Sequence, residues 1–230
     1  MDKRLQRIVN RIRDRELRAK VNALLEKPTI RIGGKTFYGL PIESSPASVW
    51  HHHNYPGGFV EHTLGLYELC MSLSRIVSGI YKCKVNNDLV ICGVLLHDIF
   101  KPATYLKGKD GRYHRSPLAE RLDHLTLASA ELIRRGFPVD AVHIVAASHG
   151  RQYGPIGPMT IEALICHLGD SAEANLNGEI LSAARFMIRE VTGQEPKTLT
   201  GRDAYKVVRA KTDRGWEGVR ASLSKIGIDG

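Results

Sequence analysis

No hydrophobic run in this 230-residue sequence approaches the ~18 residues that a membrane-spanning helix needs. The opening segment lacks the apolar stretch of a signal peptide and alternates charge with Leu5, Ile8 and Ile12 at helical spacing. Cysteine is scarce: Cys70, Cys83, Cys92 and Cys166 form no Cys-x-x-Cys pair and no zinc-ribbon spacing. Three of them sit inside apolar helical patterns and read as reduced core thiols of a cytoplasmic protein. No internal repeat, low-complexity tract or second domain is evident, and only one segment carries a clear strand signal. Repeat, fibrous, disulfide-framework and membrane classes are therefore set aside.

What is present is an ordinary globular composition, 43% hydrophobic and 25% charged, with a formal charge of +9. The excess is uneven. Residues 1–31 carry ten basic and four acidic side chains, residues 196–230 carry eight and four, and the segment between them is close to neutral. A neutral body with basic ends points to a polyanionic partner such as single-stranded nucleic acid or a nucleotide. The amphipathic ends serve equally well as a homo-oligomer interface.

Helical periodicity dominates. Leu5, Ile8, Val9 and Ile12, followed by Leu17, Val21, Leu24 and Leu25, read as one long amphipathic helix ended by Pro28. Residues 29–38, with Gly33-Gly34 at their centre, read as a β-hairpin. Residues 41–57 form a loop. Helices are expected at about 58–80, 87–99, 117–136, 138–149, 160–171 and 175–192, with two shorter ones after Thr200. The fold class is all-α: a helical bundle with one short hairpin and basic helical extensions. Three segments are expected: an extension at 1–50, a central domain at 51–195, and a C-terminal extension at 196–230 packed on it.

Ten histidines are unusual for this length, and several adjoin apolar runs. The segment Asp88–Phe100 is apolar on every side yet carries His97-Asp98 near its end. A buried ionisable pair is costly unless hydrogen-bonded or metal-bound. His62, His124, His149 and Asp170 each stand on or at the end of another apolar helix. Each alone is compatible with a satisfied core group. Together they suggest imidazole and carboxylate ligands converging from facing helices, as bundles build metal sites.

The ordered set His62, His97-Asp98, His124, His149 and Asp170 resembles the HD-domain metal-dependent phosphohydrolases. Residues His52-His53 through Gly57-Gly58 to Glu61-His62 are similar to the catalytic domain of YhaM-type 3′–5′ exoribonucleases, as are Leu95–Lys101 and Ser148-His149-Gly150. The likeness covers about 51–175. It implies an HD bundle in which His62, His97, Asp98 and Asp170 hold one metal, with Asp98 bridging to a second held by His124 and His149. It further implies hydrolysis by a metal-activated water, with Asp98 and Lys101 as catalytic residues and His52, His53 and Arg151 as substrate contacts. The expected cofactor is one or two divalent ions: Mn, Fe, Co, Ni or Zn, with Mg also possible.

The sequence departs from that pattern in three ways. The OB domain that precedes the catalytic domain in YhaM-type enzymes is replaced by a basic helix and hairpin. Phe100 stands where Gly is usual, and Ser148 where many members have a second His. The leading expectation is a 3′–5′ exonuclease on single-stranded RNA or DNA. The alternatives are a phosphohydrolase of free nucleotides or cyclic (di)nucleotides, and a non-catalytic nucleic-acid-binding scaffold.

Residues 101–115 read as a basic loop beside the site, with five basic residues and one acid. Tyr55, Tyr105, Tyr113 and Tyr153 are candidates for stacking on a base. His51, His143 and His167 read as structural, and His167 stands three residues before Asp170, where it can support the metal ligands.

Overall fold

The computed structural model describes residues 1–227. Its elements run α1 (Lys3–Val9), α2 (Arg15–Glu26), β1 (Ile30–Ile32), β2 (Lys35–Phe37), α3 (Gly58–Gly79), α4 (Asn87–Leu96), β3 (Tyr105–Lys107) and β4 (Tyr113–Arg115). They continue with α5 (His124–Arg134), α6 (Val139–Ala147), α7 (Gly150–Tyr153), α8 (Ile161–Thr192) and α9 (Gly201–Leu223). The architecture is all-α with two small antiparallel hairpins.

Helix α4 is the axis of the bundle. Asn86 caps it, its side-chain oxygen accepting from the Asp88 and Leu89 amides. Val90 to Leu96 are all buried, so beyond its first turn this helix has no solvent face, and it packs against α2, α3, α6 and α8. The main core joins α1, α2, Ile30 and Ile42 to α3–α6 and the first turns of α8. A smaller core unites the second half of α8 with α9 and Tyr55.

The expected long first helix is broken at 10–14. Ile12 is fully buried but lies outside both helices, and Asp14 caps α2 by accepting from the Leu17 amide. The break is pinned from α4: the Arg13 and Asp14 amides donate to the Asp88 carboxylate at 3.0 and 2.8 Å. Hydrophobic spacing continues through the break because both helices bury the same side.

Residues 101–115, expected as a loop, instead fold into a 3-10 turn over Lys101–Thr104 and the β3–β4 hairpin, with Tyr105 opposite Arg115. The helix expected at 117–136 begins only at His124, where the Asp123 carboxylate caps it. The helices expected at 160–171 and 175–192 are one continuous α8. There the apolar period falters because Asp170 and Glu173 are buried polar residues, not because the helix ends. The two helices expected after Thr200 are present as the two arms of α9, which kinks at Arg214-Gly215. Gly215 takes φ 62°, ψ −152°, a conformation open essentially to glycine alone. The first hairpin forms where expected, and its register sets Ile30 opposite Phe37. Among the described residues, no helix is long and apolar enough to cross a membrane.

Candidate metal centre

Five helices deliver the site. His62 stands just past the first turn of α3, His97-Asp98 at the C-terminal end of α4, and His124 at the start of α5. His149 follows α6, and Asp170 lies within α8. The end of α4 presents the negative pole of its dipole to this point, which favours a cation there. Helices α3 and α8 approach closely because α8 has glycine at the crossing: a Cβ on Gly169 would sit 2.6 Å from Cys70 Sγ. That approach puts His62 Nε2 3.2 Å from Asp170 Oδ1.

All six expected ligands converge in two connected groups. His62, His97 and Asp170 form one, and Asp98, His124 and His149 the other. Asp98 joins them: Oδ1 lies 3.2 Å from His124 Nε2 and 3.8 Å from His149 Nε2, while Oδ2 lies 3.4 Å from His97 Nε2. Asp170 reaches His149 through its other oxygen, at 3.5 Å.

Their hydrogen bonding tests whether a cation fits. His62 Nδ1–H donates to Glu173 and His97 Nδ1–H donates to the Val94 carbonyl, so the Nε2 atoms of the neutral rings carry lone pairs. Those two Nε2 atoms face each other at 3.3 Å. Facing lone pairs repel unless a proton or a metal ion lies between them. Asp98 Oδ1 and His124 Nε2 are buried with no directed hydrogen bond, while Asp98 Oδ2 pairs with the Lys101 ammonium. Divalent ions at the two groups would satisfy these lone pairs, so the donor set fits metal.

In the metal-free chain, protons take that place. His97 is raised to about 10: burial opposes its charge, but Asp98 and Asp170 outweigh burial. His62 is raised as well, with burial opposed by Asp170 and Glu173. His149 is lowered to about 4 by burial and the nearby Lys101, and burial also lowers His124. Burial would raise both aspartates, yet Asp98 is held well below the carboxylate range by His97 and Lys101, and Asp170 by His62 and His97. Metal binding therefore displaces protons from His62 and His97.

Lys101 is buried, its ammonium 2.6 Å from Asp98 Oδ2. Phe100 is fully buried in the core with φ −102°, ψ 2°, a negative φ that does not require glycine. Ser148 bonds its own helix through Oγ to the Val145 carbonyl, and its carbonyl accepts from His167 Nδ1 at 2.8 Å. His167 thus braces the turn that carries His149. His143 accepts from the Met159 amide and is structural, as expected.

The three expected substrate contacts separate. His52 lines a cleft of about 740 Å³ that also borders His124, His149, Tyr105, Arg115 and Tyr153. His52 Nδ1 is buried without a partner, and burial lowers the ring to about 2, keeping it neutral. His53 lies behind the site, its Nε2 2.9 Å from Glu173 Oε1 and its Nδ1 2.9 Å from the Tyr55 hydroxyl. Arg151 is exposed and does not line the cleft. Of the tyrosines, Tyr105 and Tyr153 border the cleft. Tyr55 is instead buried, donating to Glu61, and Tyr113 donates to the Ser44 carbonyl.

Glu173 and Trp50 are absent from the sequence-based expectation. Glu173 follows Asp170 by three residues on α8, so helical spacing alone carries its signal. Trp50 lines the cleft from a loop that has no periodicity to mark it.

The HD domain family model matches residues 59–175, the stretch from the first turn of α3 past Asp170. The chain belongs to the HD domain family. Dihydroneopterin 2′,3′-cyclic phosphate phosphodiesterase of Methanocaldococcus jannaschii is 34% identical over 98% of this chain and 91% of that protein. The 3′-5′ exoribonuclease YhaM of Bacillus licheniformis is 26% identical over 74% of this chain and 55% of its own length. That of Listeria welshimeri is 30% identical over 57% and 43%. The chain thus spans about half the length of these exoribonucleases. No solved structure matches. With the family and the ligand set together, this HD protein is a metal-dependent phosphohydrolase that binds divalent metal.

Proposed function

We propose that this HD protein hydrolyses a small cyclic phosphodiester, opening the 2′,3′-cyclic phosphate of a nucleotide-like compound to a phosphomonoester. The observation that carries this reading is its end-to-end similarity to dihydroneopterin 2′,3′-cyclic phosphate phosphodiesterase. A cleft of about 740 Å³ suits a single small ligand. A second reading, exonucleolytic attack on single-stranded RNA, is favoured by the likeness to YhaM and by the basic ends.

His62, His97, Asp98 and Asp170 would hold one divalent ion, and His124 and His149 a second that shares Asp98. Mixed imidazole and carboxylate donors suit Mn, Fe, Co, Ni or Zn, with Mg less well matched. The ions supply Lewis acidity toward phosphoryl oxygen and lower the pKa of water. Lys101 keeps Asp98 ionised and places a positive charge where negative charge builds on phosphorus. His52 meets the substrate at the cleft wall as a neutral hydrogen-bonding ring. Arg115, on β4 at the cleft wall, supplies a further cation for the phosphate. His53 acts on substrate only through Glu173 and His62. One water is consumed: its hydroxyl stays on phosphorus and its proton goes to the released alkoxide.

The test is phosphorus NMR on Mn²⁺- or Fe²⁺-loaded protein with a panel of 2′,3′-cyclic nucleotides and a pterin cyclic phosphate, alongside end-labelled single-stranded RNA. Ring opening that vanishes in H97A/D98A, with intact RNA, supports the proposal. Stepwise 3′ shortening of RNA with no ring opening overturns it in favour of the exonuclease.

A further inference from the structure

We propose that the mouth of the metal cleft is a subsite for a planar heterocycle, formed by the rings of Trp50 and Tyr153; the choice of substrate for its test rests on the cyclic-phosphate reading. Trp50 is 77% exposed and Tyr153 76% exposed. Among the described residues, these are the two exposed large hydrophobic side chains that line this cleft. Core packing accounts for neither ring, yet both border the same space as His124 and His149.

Their backbones are held although their rings are free. The Trp50 amide donates to Ser48 Oγ at 3.2 Å. The Trp50 carbonyl accepts from Asn54 Nδ2 at 3.3 Å, and Asn54 Oδ1 in turn accepts from Arg185 at 2.8 Å. Tyr153 ends α7, four residues past His149, in the turn that His167 braces. A rigidly mounted, solvent-facing aromatic loses little freedom when a flat ring stacks on it. The imidazole of His52 lines the same cleft and provides the polar contact that the edge of a heterocycle needs. Stacking is tolerant of ring identity, so the class selected is a pterin or purine rather than one particular base.

The test compares 2′,3′-cyclic GMP with glycerol 1,2-cyclic phosphate, which has the same reacting ring and no heterocycle, in wild-type, W50A, Y153A, W50F and Y153F proteins. A separate calorimetric titration measures binding of guanosine, which has no phosphate, to each metal-loaded protein. The alanine variants should lose at least tenfold in kcat/KM on cyclic GMP, through KM, and several times less on the glycerol ester. They should also lose guanosine binding, and the phenylalanine variants should recover most of both. Equal losses on the two esters, or guanosine binding that is absent in wild type or unchanged in the alanine variants, overturn the subsite. Should wild-type protein hydrolyse neither ester, the functional reading fails while the guanosine titration still decides the subsite.

Discussion

Replacing Glu173 with Gln keeps the volume of the side chain and removes its charge. In the native protein the carboxylate accepts from His62 Nδ1 and from His53 Nε2, so two N–H donors converge on one anion. When the His62 ring is neutral, those bonds leave its Nε2 free of a proton and aimed at His97 and Asp170. A glutamine has one acceptor oxygen and one amide donor, so one of the two imidazoles meets N–H instead of oxygen. Either His62 turns over its tautomer and loses a ligating lone pair, or His53 loses its partner in the core. Outer partners of metal-bound histidine are commonly worth 10–100-fold in metal affinity, about 1.4–2.7 kcal/mol. The expected result is Mn²⁺ affinity 10–100-fold weaker by competition with a calibrated chelator. Nitrogen-15 NMR of the metal-free proteins at high pH should show a changed His62 tautomer population. Wild-type affinity together with an unchanged His62 tautomer would refute the argument that Glu173 selects the ligating nitrogen.

Gly169→Ala places a methyl group against Cys70 Sγ and Leu66 at the α3–α8 crossing, and should cost about 1–3 kcal/mol and weaken metal binding; a thermal melt at its wild-type midpoint would count against the close approach. Stripping metal with EDTA should abolish hydrolysis and lower the melting temperature, since metal at a hundred times its Kd stabilises by about 2.7 kcal/mol; calorimetry with and without Mn²⁺ checks this. Because His97 in the metal-free chain holds its proton up to about 10, metal affinity should fall as pH falls across the neutral range, measurable as protons released on titration. Glu131, held by Arg134 and Arg135 and lowered below its ordinary value of 4.5, contributes stability above that value that is lost as pH falls. Glu131→Gln should therefore lose on the order of 1 kcal/mol at neutral pH, and its melts should converge on wild type in acid.

Much of the metal centre was legible because each ligand stands on an apolar helix whose periodicity announces burial, and a buried His or Asp needs a partner. His97-Asp98 at the end of an all-apolar helix is the strongest case, and Asp98 joins the two groups of ligands. The same reasoning misjudged Tyr55, which looked like a loop residue and is a core hydroxyl tied to Glu61. It also read a break between helices at 172–174, when Asp170 and Glu173 face the site from one continuous α8.

Local pattern was enough for the helical class, the first hairpin, the apolar axis of α4 and the six His and Asp side chains that converge. These follow from local properties: hydrophobic period, caps, and the cost of burying an unpaired ionisable group. Tertiary structure alone decided that Glu173 orients His62, that His53 stands behind the site while His52 faces the cleft, and that Trp50 and Tyr153 border it. Those relations join residues more than a hundred positions apart, such as His62 with Glu173. They depend on how closely α3 approaches α8 and on where a non-periodic loop comes to rest, neither of which a local pattern encodes.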